Sequence, residues 1–242
     1  MRTIFLADAH LNLPSDQNYR LLLRLLQELE GNLDNLYILG DLFDFWIGFP
    51  TQKYVNYKEI LDALERLVNS GCKLVYFEGN HDFHLGNIFS ERLQAEIHTV
   101  PSFKKIDGKR LYICHGDQIN KEDRFYRLYR YILRSPIVAG SVKYFPPSLA
   151  DSIRTGLQRR SKASHSSKKM RWNYSQILRD FAYTLRLQGC DGMVSGHFHL
   201  AIYEKLSDPD FTLLSLGDWI EQFTYGEMLD GELRLVKYSV NQ

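Results

Sequence analysis

The sequence lacks several features that would place it in common protein classes. It has no run of about 18 apolar residues, so no transmembrane helix is expected. Asp8 interrupts the apolar stretch near the N-terminus, so a secretory signal is not expected either. Cysteine is scarce and widely spaced, at Cys72, Cys114 and Cys190, which predicts reduced, buried thiols in a cytosolic protein.

Motifs of other catalytic and phosphate-binding sites are missing as well. The sequence contains no G-x-S-x-G nucleophile elbow, no H-E-x-x-H helix and no G-x-x-x-x-G-K-[ST] phosphate loop. Its 242 residues are 44% apolar and 24% charged, which is typical of a globular protein. The length fits one large domain, or one domain that carries an insertion.

Strand-like and helix-like segments alternate in the first part of the chain. Short buried strands are expected at residues 3–7, 36–39 and 74–77. Between them, apolar residues at helical spacing predict two helices, which end near Gly31 and Gly71. This alternation predicts βαβ units and a central sheet with helices outside it.

The second part of the chain has a different pattern. Two β segments at 104–106 and 110–114 flank Asp107-Gly108, which predicts a hairpin. Residues 121–187 are helical in character and basic. Further β segments are expected at 192–195, 200–206, 212–216 and 233–238, with a turn at Asp230-Gly231.

Charge is unevenly distributed along the chain. The net charge is +1, yet residues 121–171 hold thirteen of the 30 Lys and Arg residues and three of the 29 Asp and Glu residues. We therefore predict a core of residues 1–120 and 188–242, with residues 121–187 inserted as a basic helical cap. Such a cap suits an anionic partner; a solvated helix face and a nucleic-acid-binding surface are the alternatives.

Five apolar segments end in Asp, Asn or His. The clusters are Asp8-Ala9-His10, Gly40-Asp41-Leu42-Phe43-Asp44, Gly79-Asn80-His81-Asp82, His115-Gly116-Asp117 and Gly196-His197-Phe198-His199. Ligands of open α/β sheets bind beyond the carboxyl ends of the strands, so these loops can converge on one site. Carboxylate, imidazole and amide groups are ligands for Mn, Fe or Zn. A single cluster is typical of a cap or turn, whereas five predict a metal site.

The clusters contain seven candidate metal ligands: Asp8, His10, Asp41, Asn80, His115, His197 and His199. Asp8 and His10 are two residues apart, as are His197 and His199, so on an extended chain each pair leaves one face. Seven ligands are too many for one ion. They suit two ions that share a bridging carboxylate, for which Asp41 is the candidate.

The order D-x-H, G-D-x-x-D, G-N-H-D, H-G-D and G-H-x-H resembles the calcineurin-like metallophosphoesterase family over residues 8–199. The resemblance implies an α/β fold, a four-layer αββα sandwich, with two divalent metal ions, expected to be Mn²⁺, with Fe or Zn as alternatives. It implies that one ion takes Asp8, His10, Asp41 and His199. The other would take Asp41, Asn80, His115 and His197. The implied reaction is attack on phosphorus by a metal-bridging hydroxide.

The same resemblance assigns roles beside the metals. It places His81 next to the substrate phosphate, with Asp44 orienting the ring, so the implied catalytic residues are His81, Asp44 and Asp41. As imidazolium, His81 can stabilise the transition state or protonate the leaving oxygen. We interpret Asp82 as structural.

A closer resemblance narrows the substrate. The run YILGDLFDFWIG from Tyr37 and the S-K-x-x-x-S-S-K segment Ser161–Lys168 are similar to the UDP-2,3-diacylglucosamine diphosphatases of lipid A biosynthesis. These enzymes hydrolyse the pyrophosphate of the lipid nucleotide to UMP and 2,3-diacylglucosamine 1-phosphate (lipid X). The resemblance implies substrate contacts at Asn80, His81, Asp123, Tyr126, Ser161, His165, Lys168 and His197. It also implies a peripheral location on the cytoplasmic face of the inner membrane.

The sequence departs from that group at a few positions. Many members have Arg in place of His81, which gives G-N-R-D. Some have Glu in place of Asp44, and others have Asn in place of His165. The alternative function is a dinuclear phosphodiesterase or phosphatase that acts on another nucleotide conjugate or on nucleic acid. A non-catalytic binding module is disfavoured because every candidate metal ligand is present. Nucleic acid is not the expected partner, because apolar residues accompany the basic ones in the cap.

Overall fold

The computed structural model describes most of the chain outside the cap. The described residues are 1–47, 52–135, 138, 140, 172–207 and 210–239. Three predicted substrate contacts, Ser161, His165 and Lys168, lie outside these residues. The predicted domain boundaries stay a prediction, because much of the segment that was expected to form the cap also lies outside them.

Two β-sheets lie at the centre of the protein. In chain order the strands are β1 (Arg2–Leu6), β2 (Asn35–Ile38), β3 (Trp46–Ile47), β4 (Lys73–Phe77), β5 (Asp82–Phe83), β6 (Glu96–His98), β7 (Ser102–Ile106), β8 (Lys109–Cys114), β9 (Gly192–Ser195), β10 (Ala201–Ser207), β11 (Asp210–Leu216), β12 (Thr224–Leu229) and β13 (Glu232–Lys237). The first sheet has the order β13-β12-β1-β2-β4-β6 and the second the order β10-β11-β9-β8-β7. Strands β3 and β5 pair separately.

Helices cover the outer faces of both sheets. The α-helices of the described part are α1 (Gln17–Leu29), α2 (Lys58–Asn69), α3 (Arg124–Leu133) and α4 (Tyr174–Leu187). A 3₁₀ helix at Gln52–Tyr57 precedes α2, and a π-helical turn lies at Ile88–Arg92. None of the helices in the described part is long and apolar enough to cross a membrane.

Alternation along the strands produces four layers. Successive side chains of a strand point to opposite faces of its sheet. In β1, Ile4 packs in the cluster that contains α1 and α2, whereas Phe5 packs between the two sheets. In β9, Val194 faces the first sheet and Met193 packs against α4. The predicted αββα sandwich is therefore confirmed.

Each covering helix buries one apolar stripe, as helical spacing predicts. In α1, Leu22, Leu25 and Leu29 are buried while the opposite face is polar. Helix α4 falls within the predicted cap segment, yet Leu178 and Leu185 pack against the second sheet. This helix therefore forms part of the outer layer of the sandwich.

Both predicted turns are present. Asp107 and Gly108 join β7 to β8 with φ of 46° and 82°, and Asp230 and Gly231 join β12 to β13 with φ of 51° and 78°. Positive φ at both central residues is typical of the type I′ turn, whose twist matches that of a hairpin. The first hairpin lies in the second sheet and the other in the first sheet.

Strands β6 and β12 are not predicted from the sequence. Strand β6 has three half-buried residues, too few to show alternation. Strand β12 contains Gly226, which weakens its strand pattern, but Gly226 pairs with Phe5 of the central strand β1. Pairing with neighbouring strands establishes them, because a three-residue segment and a segment interrupted by glycine give little local signal.

Candidate metal centre

The five polar clusters lie at one edge of the sandwich. They follow β1, β2 and β4 of the first sheet and β8 and β9 of the second, and within each sheet these strands run parallel to one another. Parallel strands end at a common edge, so the loops that follow them meet there. The structure thereby brings the seven candidate metal ligands together. Their binding of metal stays a prediction.

Asp41 lies between two imidazoles. Its Oδ2 atom is 3.7 Å from Nε2 of His10 and 3.7 Å from Nε2 of His115. On the His10 side, Oδ1 of Asp8 lies 4.0 Å from Nε2 of His10 and 3.8 Å from Nε2 of His199. Asp41 therefore lies between two groups of candidate ligands, and its sharing by two ions stays a prediction.

On the other side of Asp41, one side-chain atom each of His115, Asn80 and His197 lie close together. Nε2 of His115 lies 3.0 Å from Oδ1 of Asn80 and 3.2 Å from Nδ1 of His197. Nδ1 of His115 donates to the carbonyl of Leu39 at 2.7 Å, which fixes the ring with its Nε2 facing the site. A hydrogen bond of this kind, from the ring nitrogen that faces away from the site, orients metal-binding imidazoles in proteins.

The donor atoms fit divalent cations. Oδ1 of Asp8 and Nε2 of His10 are buried and have no hydrogen-bond partner among the described residues. Two groups of three ligand atoms lie within 4.8 Å of one another, Asp8 with His10 and His199, and Asp8 with Asp41 and His115. Burying a carboxylate oxygen or an imidazole nitrogen without a partner is costly, and a cation between these atoms would remove that cost.

Burial controls the ionisation of the site. It lowers the pKa of His10 and of His197 to about 3, so both rings are neutral and able to bind a cation at neutral pH. It raises the pKa of Asp8 to about 6. Burial also opposes ionisation of Asp41, but neighbouring imidazoles, with His115 the strongest, hold its pKa well below the usual value. Near pH 7 both carboxylates are ionised and attract cations.

Five of the seven candidate ligands have positive φ. The values are 52° at Asp8, 44° at His10, 53° at Asp41, 71° at His197 and 51° at His199. The expectation that each D-x-H or H-x-H pair leaves one face of an extended chain is therefore wrong. At Asp8 and His10 the backbone is held by the loop after β2, because Asp8 N donates to Gly40 O and His10 N donates to Asp41 O. Such residues cluster at functional sites.

Two glycines allow the loops after β2 and β4 to touch. A Cβ atom on Gly40, whose φ is +82°, would lie 2.6 Å from the Cα of Gly79. A Cβ atom on Gly79 would lie 2.1 Å from Oδ1 of Asp41. Glycine at both positions lets one loop hold the Asp41 side chain against the other.

His81 is held beside the candidate ligands. Its Nδ1 donates to the backbone carbonyl of Asp44 at 2.8 Å, so the orienting contact shown between these residues is made by the main chain. The His81 ring meets that of His10 edge to face, with centroids 4.8 Å apart. His10, Asp44 and His81 also form a third group of ligand atoms within 4.8 Å. The phosphate-contacting role of His81 stays a prediction.

Asp82 connects the loops behind the site. Its carboxylate accepts hydrogen bonds from the backbone N–H groups of Asp41, Leu42 and Gly79 at 2.7–2.9 Å and from the hydroxyl of Tyr76. Burial, together with the charge of Asp41, raises the pKa of Asp82 to about 7. The Asp82 carboxylate accepts hydrogen bonds from the protein itself, which agrees with the structural role interpreted from the sequence.

Sequence reasoning missed Asp218. Its Oδ2 atom lies 3.6 Å from Nδ1 of His199, whose Nε2 faces Asp8. Oδ1 of Asp218 accepts from the backbone N–H groups of Ile220 and Glu221 at 2.9 and 2.8 Å. The signal was available, because Gly217-Asp218 follows β11 in the same way that the other clusters follow their strands.

Helix α3 brings two predicted substrate contacts to the edge of the site. Asp123 is its N-cap and accepts from the backbone of Tyr126 at 3.1 Å. The Tyr126 hydroxyl donates to Asp117 at 2.8 Å, and its ring centroid lies 6.0 Å from that of His197. Substrate contact by Asp123 and Tyr126 stays a prediction.

The fold and the groups of potential metal ligands at one edge of the sandwich are those of a metal-dependent phosphoesterase, and comparison with known proteins agrees. Residues 1–201 match the calcineurin-like phosphoesterase family, to which this chain belongs. It is a metal-dependent hydrolase.

More particularly, the chain is similar over nearly its whole length to proteins named UDP-2,3-diacylglucosamine hydrolase. The one from Photorhabdus laumondii is 30% identical over 245 residues, which cover 98% of this chain and 99% of that protein. The one from Edwardsiella ictaluri is 30% identical, with 95% and 88% covered. The one from Aeromonas hydrophila is 29% identical, with 99% and 100% covered.

Proposed function

We propose that this protein hydrolyses the pyrophosphate bond of UDP-2,3-diacylglucosamine, releasing UMP and 2,3-diacylglucosamine 1-phosphate, as a step of lipid A biosynthesis. The observation that carries the proposal is the full-length similarity to UDP-2,3-diacylglucosamine hydrolases, which extends through the cap segment and beyond residue 201. A protein that shared only the phosphoesterase core would match those relatives over the core alone.

The proposed cofactor is a pair of Mn²⁺ ions. The carboxylate, imidazole and amide donors around Asp41 are those that such ions accept, and the unpartnered atoms of Asp8 and His10 support a cation between them. When bound, two such ions would acidify a water molecule and neutralise the charge that develops on the phosphoryl oxygens. Fe or Zn would be held by the same residues.

The protein's own groups supply orientation and a proton. Because Nδ1 of His81 donates to the Asp44 carbonyl, the other ring nitrogen, Nε2, is available to a phosphoryl or leaving oxygen. In its charged form His81 donates a hydrogen bond there and can protonate the leaving group. Asp41 is held in place by its backbone N–H, which donates to Asp82, and by its carboxylate, which accepts from the backbone of His81.

The outer face of α3 supports an amphiphilic substrate and a membrane-surface location. Phe125 is 89% and Tyr131 77% exposed, and Leu128 and Ile132 are exposed on the same helix. Arg124 and Arg127 are exposed beside them. A helix that shows apolar and basic side chains to solvent suits the interface of an anionic membrane, from which a diacylated nucleotide would be drawn. We propose a peripheral location at the cytoplasmic face of the inner membrane.

The experiment that tests the substrate is UMP release from UDP-2,3-diacylglucosamine by metal-stripped protein, with and without added Mn²⁺. Bis(p-nitrophenyl) phosphate is assayed in parallel as a small diester. Turnover of the lipid nucleotide that depends on Mn²⁺ is expected. Cleavage of the small diester without UMP release would contradict the lipid substrate and favour another nucleotide conjugate.

A second experiment tests whether the cap binds substrate. Lys168→Ala and Ser161→Ala should raise KM for the lipid nucleotide more than KM for the small diester, because the small diester lacks the groups that the cap is proposed to bind. Equal changes for both substrates would argue against a substrate-binding cap. Salt-sensitive DNA binding that these substitutions abolish would favour a nuclease instead.

A further inference from the structure

Helix α3 presents a row of polar side chains to the candidate metal centre. Tyr126 and Arg130 lie on α3 and Arg134 is its C-cap, and the spacing of four residues places them along one side of the helix and its end. Arg130 pairs with Asp117 at 2.6 Å, and Arg134 pairs with Glu78 at 2.8 Å. Both acidic partners lie in loops that carry candidate ligands.

Arg134 makes the more extensive set of contacts. One of its terminal nitrogens donates to the Glu78 carboxylate at 2.8 Å and to the Thr99 carbonyl at 3.0 Å. The other donates to the carbonyls of Glu78 and Gly79 at 3.2 and 2.8 Å. The Gly79 carbonyl belongs to the peptide group that links it to Asn80. Arg134 therefore binds the backbone immediately before the candidate ligand Asn80.

The pair is shielded from water. The Arg134 side chain is 12% exposed and that of Glu78 is 4% exposed. The second oxygen of Glu78 accepts from the backbone N–H of His84 at 2.7 Å, and the His84 ring contacts the carbonyl of Leu133 at 3.1 Å. The Asn80–His81 segment is thus flanked on both sides by backbone groups tied to the end of α3.

We propose that Arg134 is a positioning residue that holds Asn80 and His81 in register with Asp41. The inference rests on the proposed placement of Asn80 and His81 in the metal centre. A planar guanidinium can serve one carboxylate and several carbonyls at once, which the single ammonium of lysine cannot do with the same geometry. Without these hydrogen bonds the Asn80 side chain and the His81 ring can move, although both side chains are still present.

The test compares Arg134→Lys with Arg179→Lys in the full-length protein. Arg179 makes a bidentate pair with Glu204 between α4 and β10, so it is a helix-to-strand arginine pair away from the candidate ligands. The readouts are Mn²⁺ affinity by competition with a chelator, and kcat and KM for bis(p-nitrophenyl) phosphate at saturating Mn²⁺. Melting temperature is measured alongside.

Arg134→Lys is expected to weaken Mn²⁺ binding about 10-fold or more, the range found when groups that orient metal ligands are lost. Its kcat should fall by about 10-fold with KM changed less than about 2-fold, because substrate binding outside Asn80 and His81 is intact. Arg179→Lys should match the wild type in Mn²⁺ affinity, kcat and KM. Wild-type Mn²⁺ affinity and wild-type kcat per metal-loaded protein in Arg134→Lys would overturn the proposal.

A double variant guards against misfolding caused by an unpaired Glu78. Arg134→Met with Glu78→Gln removes both charges of the pair, which avoids a buried lone carboxylate. It should show the same loss of Mn²⁺ affinity and kcat, and unchanged values would equally overturn the inference. Failure of the lipid-nucleotide assay in the wild type would contradict the proposed substrate but not this inference, since metal affinity and diester cleavage do not require that substrate.

Discussion

Nδ1 of His199 lies 3.6 Å from Oδ2 of Asp218, while Nε2 of the same ring faces Oδ1 of Asp8 at 3.8 Å. Asp218 is itself fixed by backbone N–H groups of the turn that follows it. The carboxylate thus sets the orientation of a candidate ligand from behind, as carboxylate–histidine pairs do in metal sites.

Asp218→Asn should weaken Mn²⁺ binding by about 10- to 100-fold. The substitution replaces a carboxylate oxygen by an NH₂ group, which would oppose the side-chain amide of Gln222 that now donates to that oxygen. The measurement is titration of metal-stripped protein with Mn²⁺. Glu221→Gln, a neutralised exposed acid in the same turn, is the control and should bind as the wild type does. Equal affinities for Asp218→Asn and the control would contradict the orienting role.

Gly79→Ala should lower the metal content of purified protein as well as its melting temperature. The added Cβ would lie 2.1 Å from Oδ1 and 2.5 Å from the backbone N of Asp41, so that carboxylate must move. Metal is counted by elemental analysis. Gly31→Ala is the control for a loss of stability alone, because its φ of +75° is unfavourable for alanine while nothing lies within 4 Å of the added carbon. The control should lose about 1 kcal/mol of stability and keep its metal.

His81→Ala and Asp41→Ala should separate two kinds of defect. Removing His81 should lower kcat severely and leave two metals bound, because its assigned place is beside the phosphate. Removing Asp41 should deplete both metals, because its Oδ2 lies between His10 and His115. Metal content and kcat are measured on the same samples. Metal loss in His81→Ala would instead support the group that His81 forms with His10 and Asp44.

Glu96→Gln should change how stability depends on pH. Hydrogen bonds from Lys104 and then Lys73 lower the pKa of Glu96 from 4.5 to about 2. A group with a lowered pKa stabilises the fold above its unfolded value and loses that contribution as pH falls towards its folded value. The difference in urea midpoint between wild type and variant should therefore be largest above pH 4.5 and shrink towards pH 2. A difference that stays constant with pH would rule out this linkage.

Much of the fold follows from local pattern. Strand and helix periodicity predicts the core of both sheets and the helices α1 and α2, since each segment must bury one face. The hairpin turns follow from Asp107-Gly108 and Asp230-Gly231. Strands β6 and β12 do not follow, because the first is too short to alternate and the second depends on its partner β1.

The candidate metal centre, like the fold, was predictable from the sequence only in part. The sequence alone determined which residues were candidates, because carboxylates, imidazoles and an amide at the ends of parallel strands must meet at one edge of the sheets. The tertiary structure decided how they are held. It alone shows the left-handed backbone at Asp8, the Asp44 carbonyl on His81, and Asp218 behind His199. Arg134 also belongs to this second group, because partners separated by many residues leave no local trace in the sequence.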